Sequence, residues 1–386
     1  MRRSIQTQRL TSLPPYLFAE LDRQKELVAA RGVDIIDLGV GDPDRPTPEP
    51  IVSALIEAVR NPATHRYPSY QGMRPFREAC AGYMKRRFGV ELDPETEICA
   101  LIGSKEGIAH AALALVEIDD TVLIPSPGYP VYRAGTIFAG GNPVDMPLAA
   151  ENSFLPDFSG IPKAVASRAT VMHLNYPNNP TGATANLDFF AEALAFAAQY
   201  NITLLHDAAY AEMGFGDYRA PSVLQAPGAM ERAAEFHSFS KTFNMTGWRV
   251  GFVAGNAEIV QAIGRVKTNV DSGAFEAVQQ AAVAALNMDP AIRHAIVEVY
   301  RERRDLVLAG LRQAGFDVPD LKATFYVWFP VPGGDSAAFA DDLLQKTGVV
   351  VTPGVGFGAA GEGYARIALC QEKSRLVEAM DRLVKL

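Results

Sequence analysis

The chain has 386 residues, 36 Lys plus Arg against 44 Asp plus Glu, a formal net charge of −8 and 48% hydrophobic residues. At roughly 100 to 200 residues per domain, this length suggests two or three domains with a large core, and it excludes a disordered chain or a stapled mini-protein. The acidic balance, spread without long single-sign runs, argues against a nucleic-acid partner.

Cys80, Cys99 and Cys370 stand far apart with no CxxC spacing, which favours a reducing cytoplasm over a disulfide framework. No apolar block follows the basic start and no run reaches about 18 apolar residues, so neither a secretory signal nor a membrane span is expected. From residue 98 onward, short β-branched runs alternate with helical patterns, the rhythm of an α/β domain with a mainly parallel sheet. Strands are predicted at 98–103, 121–126, 142–147, 170–175, 202–207, 234–238 and 249–254, with helices at 105–117, 128–139, 186–200 and 257–267 between them. A long helix is predicted at 291–314. A strand at 324–330, a helix at 336–347, strands at 349–353 and 364–369 and a closing helix then read as a compact α+β unit.

Several predicted strands end in small or polar residues, and in an open α/β sheet ligands sit beyond the carboxyl ends of the strands. Lys241 follows one strand among hydroxyls, with Arg249 eight positions later. A lysine desolvated beside a cation can hold an aldehyde cofactor as an imine, although alone it would read as a solvated loop residue. Asp207 closes an apolar strand, where a carboxylate can keep the ring nitrogen of pyridoxal phosphate protonated. Tyr210 and Asn179 are placed to reach the ring's 3-oxygen, and the turn 175–182 holds X-Pro bonds that are candidates for the cis form. Gly103-Ser104-Lys105 lies between a strand and a helix, where open N–H groups cradle an anion, with Ser238, Ser240 and Arg249 completing the cup. Tyr129 offers a ring to stack on a pyridine face.

Eight motifs in register carry a resemblance: VGDP at 40–43, YPSYQG at 67–72, GSKEG, SPGYP, NNPTG, DAAY, SFSKTFNMTGWRVG and ARIALC at 365–370. From about Leu13 to the C-terminus the chain resembles the fold-type I, pyridoxal-phosphate-dependent aminotransferases of the aspartate aminotransferase class. The resemblance implies a three-layer αβα large domain with a mainly parallel seven-stranded sheet and a small α+β domain. The layout it implies is an arm and part of the small domain at 1–46, the large domain at 47–288 and the rest of the small domain at 289–386. It assigns Lys241 to the imine, Asp207 to the ring nitrogen and Arg366, helped by backbone at Gly41, to the substrate α-carboxylate. It gives Tyr67 to the neighbouring subunit's phosphate, and so implies a homodimer acting on amino acids and 2-oxo acids.

Where the aspartate enzymes place a second arginine, this chain has Asn269 in KTNVDSG. With LPPYLF at 13–18 and SPGYPVY, that string resembles the LL-diaminopimelate aminotransferase branch and gives Tyr16, Lys105, Tyr129, Asn179 and Asn269 to the substrate, with Arg45 and Arg74 as further candidates. A broad alanine or aspartate aminotransferase, and a non-catalytic protein on the same scaffold, are the rival readings. The six histidines show no paired ligand spacing, so no metal is expected. GVGFG at 354–358 reads as a turn, and the 301–305 charge run reads as the solvated face of the long helix.

Overall fold

The computed structural model describes residues 5–14 and 17–385. A short strand, β1 (Ile36–Asp37), precedes the seven strands of the central sheet: β2 (Ile98–Leu101), β3 (Thr121–Ser126), β4 (Asn142–Pro147), β5 (Ala169–Asn175), β6 (Thr203–Asp207), β7 (Ala233–Ser238) and β8 (Gly251–Gly255). Their order is β2-β8-β7-β6-β5-β3-β4, and only β8 runs antiparallel to its neighbours. Side chains alternate along each strand, so Leu123, Leu204 and Phe252 enter one core while Val122, Leu205 and Val253 enter the other. Helices Arg74–Phe88, Leu187–Tyr200 and Glu276–Asn287 cover the first face, and Ser104–Leu115, Val131–Ala139 and Ala257–Val270 cover the second. With both faces covered, the inner strands are buried along nearly their whole length, whereas edge strand β4 is mostly exposed. This is the mainly parallel, three-layer sheet that the sequence implied.

Four later strands are β9 (Tyr326–Pro330), β10 (Val349–Val350), β11 (Thr352–Pro353) and β12 (Tyr364–Ala368). β12 lies between β11 and β9 in an antiparallel sheet, and β1 pairs in parallel with β10 through Ile36↔Val349. Helix Pro290–Gln313 packs on helix Lys373–Val384 over a core that includes Tyr300, Val307, Leu311, Ile367 and Leu376. Residues far apart in the chain thus close one smaller core.

Among the boundaries that move, two bear on the cavity described below. The helix predicted from 128 begins at Val131, which leaves Tyr129 on the preceding turn. The strand predicted from 249 begins at Gly251, because Arg249 takes a left-handed conformation (φ 55°) after the turn Thr246–Trp248. The X-Pro bonds Ser126-Pro127, Tyr176-Pro177 and Asn179-Pro180 are cis.

The 301–305 run corrects its sequence reading. Tyr300, Arg303 and Val307 recur at helical spacing on the buried face, so Arg303 turns inward. It is 2% exposed and donates to both oxygens of Asp44 at 2.6 and 2.8 Å and to Leu369 O at 3.0 Å. Glu106, His110 and Asp271 converge as metal ligands could, yet the ammonium of Lys267 stands between the carboxylates at 2.8 and 2.9 Å. Among the described residues, no helix is long and apolar enough to cross a membrane.

Behind the cavity edge, Glu235 is fully buried between His206 Nδ1 (2.8 Å) and His237 Nε2 (2.7 Å), and Val223 N–H also donates to it. Burial pushes its carboxyl up, but the hydrogen bonds from the two imidazoles outweigh that and hold it well below the usual range. Removing one member strands the others in the core. Glu235→Ala is expected to lose about 3 to 5 kcal/mol of stability, read as a lower urea midpoint at unchanged slope.

Candidate active site

The carboxyl ends of β2, β3, β5, β6 and β7 open on one cavity of ≈ 530 Å³. Because β8 is antiparallel, its amino end lies at that same edge and Arg249 joins the cavity wall. The residues expected from the sequence that line it are Ser104, Lys105, Tyr129, Asn179, Asp207, Tyr210, Ser238, Ser240, Lys241, Arg249, Arg366 and Gly41.

Lys241 sits in the one-turn helix Phe239–Thr242, whose cap Ser238 accepts the N–H of Ser240. Its Nζ donates to Gly41 O at 2.9 Å. Burial lowers its pKa, and the nearby Arg366 and Arg249 guanidiniums lower it further, against Cys370 and Asp42. A Cβ at Gly41 would overlap the Tyr326 hydroxyl, so only glycine lets that carbonyl come so close.

Asp207 is 6% exposed. It accepts from Tyr132 OH at 2.9 Å and from Ala209 N–H at 3.3 Å, and its own backbone carbonyl accepts from Asn175 Nδ2 at 2.8 Å. Burial raises its pKa against the Tyr132 bond, and among the described residues no Lys or Arg forms an ion pair with it. Tyr210 OH donates to Tyr326 OH at 3.2 Å, and burial pushes its phenol far up, with Tyr326 adding to the effect. At the other end, Gly103 caps helix Ser104–Leu115 without a side-chain hydrogen bond, so that helix start faces the cavity with Lys105 and Arg249. Burial depresses the Lys105 ammonium, as does Arg249, and its Nζ lies 5.6 Å from the Tyr129 ring centre.

Arg366 extends from β12 with 2% of its surface exposed. It donates to Asn179 Oδ1 at 2.8 Å and to Gly39 O at 2.7 Å, and its guanidinium lies 4.2 Å from the Tyr326 ring and 4.7 Å from that of Phe357. Its Nε is buried without a partner, a donor available to an incoming carboxylate.

The family profile described as Aminotransferase class I and II matches residues 33–383. The chain belongs to that family. LL-diaminopimelate aminotransferase of Syntrophobacter fumaroxidans is 54% identical over 383 residues, with 99% of each chain covered. LL-diaminopimelate aminotransferase 2 of Trichormus variabilis is 55% identical over 377 residues, with 97% of each chain covered. Among solved structures, substrate-bound BacF from Bacillus subtilis superposes with a TM-score of 0.95 at 41% identity, covering 99% of this chain and 98% of that one.

Class I and II aminotransferases are pyridoxal phosphate enzymes, and this aminotransferase has a cavity whose two ends fit that group. The closed end offers a buried carboxylate that lacks a cation; the other offers an uncapped helix start, two serines and Arg249 for a phosphate. Other expectations fall elsewhere. Tyr67 is 88% exposed and outside the cavity. Asn269 is exposed and bonds back to Arg265 O, because Lys267, two residues earlier on the helix, takes the inward face. Arg45 pairs loosely with Glu372, and Arg74 pairs with Glu78, so neither lines the cavity. Tyr16 lies outside the described residues.

The sequence reading passed over Tyr132, Asn175, Tyr326 and Phe357. Tyr132 stands three residues after Tyr129, a helical spacing that could have flagged it, whereas Tyr326 arrives from the distant smaller core and Phe357 from the turn Gly354–Phe357. Gly103 has φ 86°, and a Cβ there would collide with the Arg249 guanidinium. Gly103→Ala is therefore expected to weaken pyridoxal phosphate binding about ten-fold, measured by absorbance titration of the apoprotein.

Proposed function

We propose that the chain is a pyridoxal-phosphate-dependent LL-diaminopimelate aminotransferase, exchanging an amino group between glutamate and tetrahydrodipicolinate to give LL-diaminopimelate and 2-oxoglutarate. Full-length identity above half to proteins of that name carries the reading. The cavity supports it: beyond Arg366 it offers Lys105 and Tyr129 and no second arginine but Arg249, which serves the phosphate end.

When bound, the cofactor supplies an electron sink for the charge that develops at the substrate's α-carbon. Asp207 would hold the ring nitrogen and favour its protonated form, with Tyr132 fixing the carboxylate's other oxygen. Tyr210 and Asn179 would hold the 3-oxygen, Ser104, Lys105, Ser238, Ser240 and Arg249 would hold the phosphate, and Tyr129 would offer its ring to the pyridine face. Arg366 takes the α-carboxylate of either substrate, so the two compete for one clamp and the reaction runs as two half-reactions. Lys241 Nζ, its pKa depressed by burial, removes the α-proton and returns it as general base and then acid.

A homodimer completes the site, with the partner's Tyr67 reaching the phosphate. The exposure of Tyr67, Tyr70, Val270 and Phe275 supports that interface. The pairing of β1 with β10 supports a small domain built from 1–46 and 289–386 around a large domain at 47–288. Three buried free cysteines fit a cytoplasmic enzyme.

With 2-oxoglutarate as acceptor, glutamate formation from LL-diaminopimelate should exceed that from alanine or aspartate by at least about a hundred-fold in kcat/KM, well within what a site that hydrogen-bonds a distal polar group can discriminate. Preference for alanine would sink the substrate assignment. Lys241→Ala should abolish turnover and the visible band of the lysine-bound cofactor while leaving the far-UV spectrum unchanged.

A further inference from the structure

We propose that Asp22 reads the distal ammonium of LL-diaminopimelate and so sets the preference for a diamino over a monoamino diacid; this rests on the substrate assignment above. Asp22 belongs to helix Leu17–Ala29 and lines the cavity with Val40, Gly41, Lys105 and Tyr129. The described cavity wall carries two carboxylates, Asp207 and Asp22. Asp207 is 6% exposed, whereas the Asp22 side chain is 60% exposed and stands at the rim. The other charged groups of the wall are Lys105, Lys241, Arg249 and Arg366, all cationic. A substrate with one ammonium at its reacting carbon and a second at its far end would meet repulsion from that set, unless an anion answers the second. Asp22 is the exposed carboxylate of that wall.

The present partner of Asp22 shows how it can serve two substrates. Lys25 Nζ lies 2.5 Å from Asp22 Oδ1 and 2.7 Å from Asp37 Oδ2. Asp37 is the better sheltered of the two, with 23% of its side chain exposed, and it is anchored by the Gly39 N–H at 2.8 Å. If Asp22 turns to a substrate ammonium, Lys25 keeps Asp37 and no charge is left unpaired. When glutamate occupies the site, with no distal ammonium, Asp22 returns to Lys25. One ammonium stands in for the other, so both half-reactions keep a paired carboxylate at the rim.

The test compares LL-diaminopimelate with L-2-aminopimelate, which has the same chain length and both carboxylates but no distal amine. The wild-type holoenzyme is expected to favour LL-diaminopimelate in kcat/KM, and Asp22→Asn to cut that ratio about ten-fold or more, chiefly through KM, as loss of a charge-assisted hydrogen bond would. Asp22→Glu, which keeps the charge, should restore most of the ratio, whereas a merely structural role would affect both donors alike. A wild-type preference for LL-diaminopimelate that survives in Asp22→Asn overturns this inference alone. A wild-type enzyme that uses neither pimelate derivative but aminates from alanine or aspartate overturns the substrate assignment, and this inference with it.

Discussion

Asp207 holds its carboxylate at the closed end of the cavity with hydrogen bonds from neutral donors, and burial raises its proton affinity. A buried anion without a counter-charge is costly, and the cost falls when a cation is delivered to it. Tyr132 pins one oxygen and packs against His173, whose imidazole burial drives down to a pKa of about 3 and so keeps neutral. Asn175 ties the backbone of β6 to the NNPTG turn by donating to Asp207 O and accepting the N–H of Asn179. Asn179 in turn accepts from Arg366. Asp207 and the Arg366 guanidinium are thus connected through two asparagines.

The cavity is strongly cationic in a molecule with net charge −8. Lys105, Lys241, Arg249 and Arg366 lie close enough that burial and mutual repulsion depress both lysines. A lowered pKa leaves a larger fraction of each amine unprotonated near neutral pH, which is the form that can accept a proton. Both proposed substrates are dicarboxylates, and a cationic pocket in an acidic surface draws them inward.

Arg303 ties the segment carrying this wall to the smaller core. Its two-pronged bond to Asp44 holds the residues just after Gly41, while a third bond reaches Leu369, close to Arg366 in the chain. Gly41, which receives the Lys241 ammonium, and β12, which carries Arg366, therefore share one buried anchor. An arginine suits that place because its planar fork satisfies a carboxylate and a carbonyl together.

The sequence by itself determined the strand rhythm, the chemical identity of the cavity residues and their order along the chain. Those are local properties: a strand's alternation, an uncapped glycine turn, a lysine among hydroxyls. Only the tertiary structure decided which residues converge. Arg249 reaches the cavity because β8 is reversed, a pairing that no local pattern encodes. Tyr326 and Phe357 come from a fold unit more than a hundred residues away from Asp207 in the chain, and Asp22 from the opposite end. Arg303 looked like a surface charge because its neighbours at 301, 302, 304 and 305 are charged, and only the helix's rotational phase against the core turned it inward. Asn269 pointed outward for the same reason, since Lys267 had already taken the inward face. Composition and spacing specify what each side chain can do, but long-range packing selects which of them act together, because burial and pairing are properties of neighbours in space.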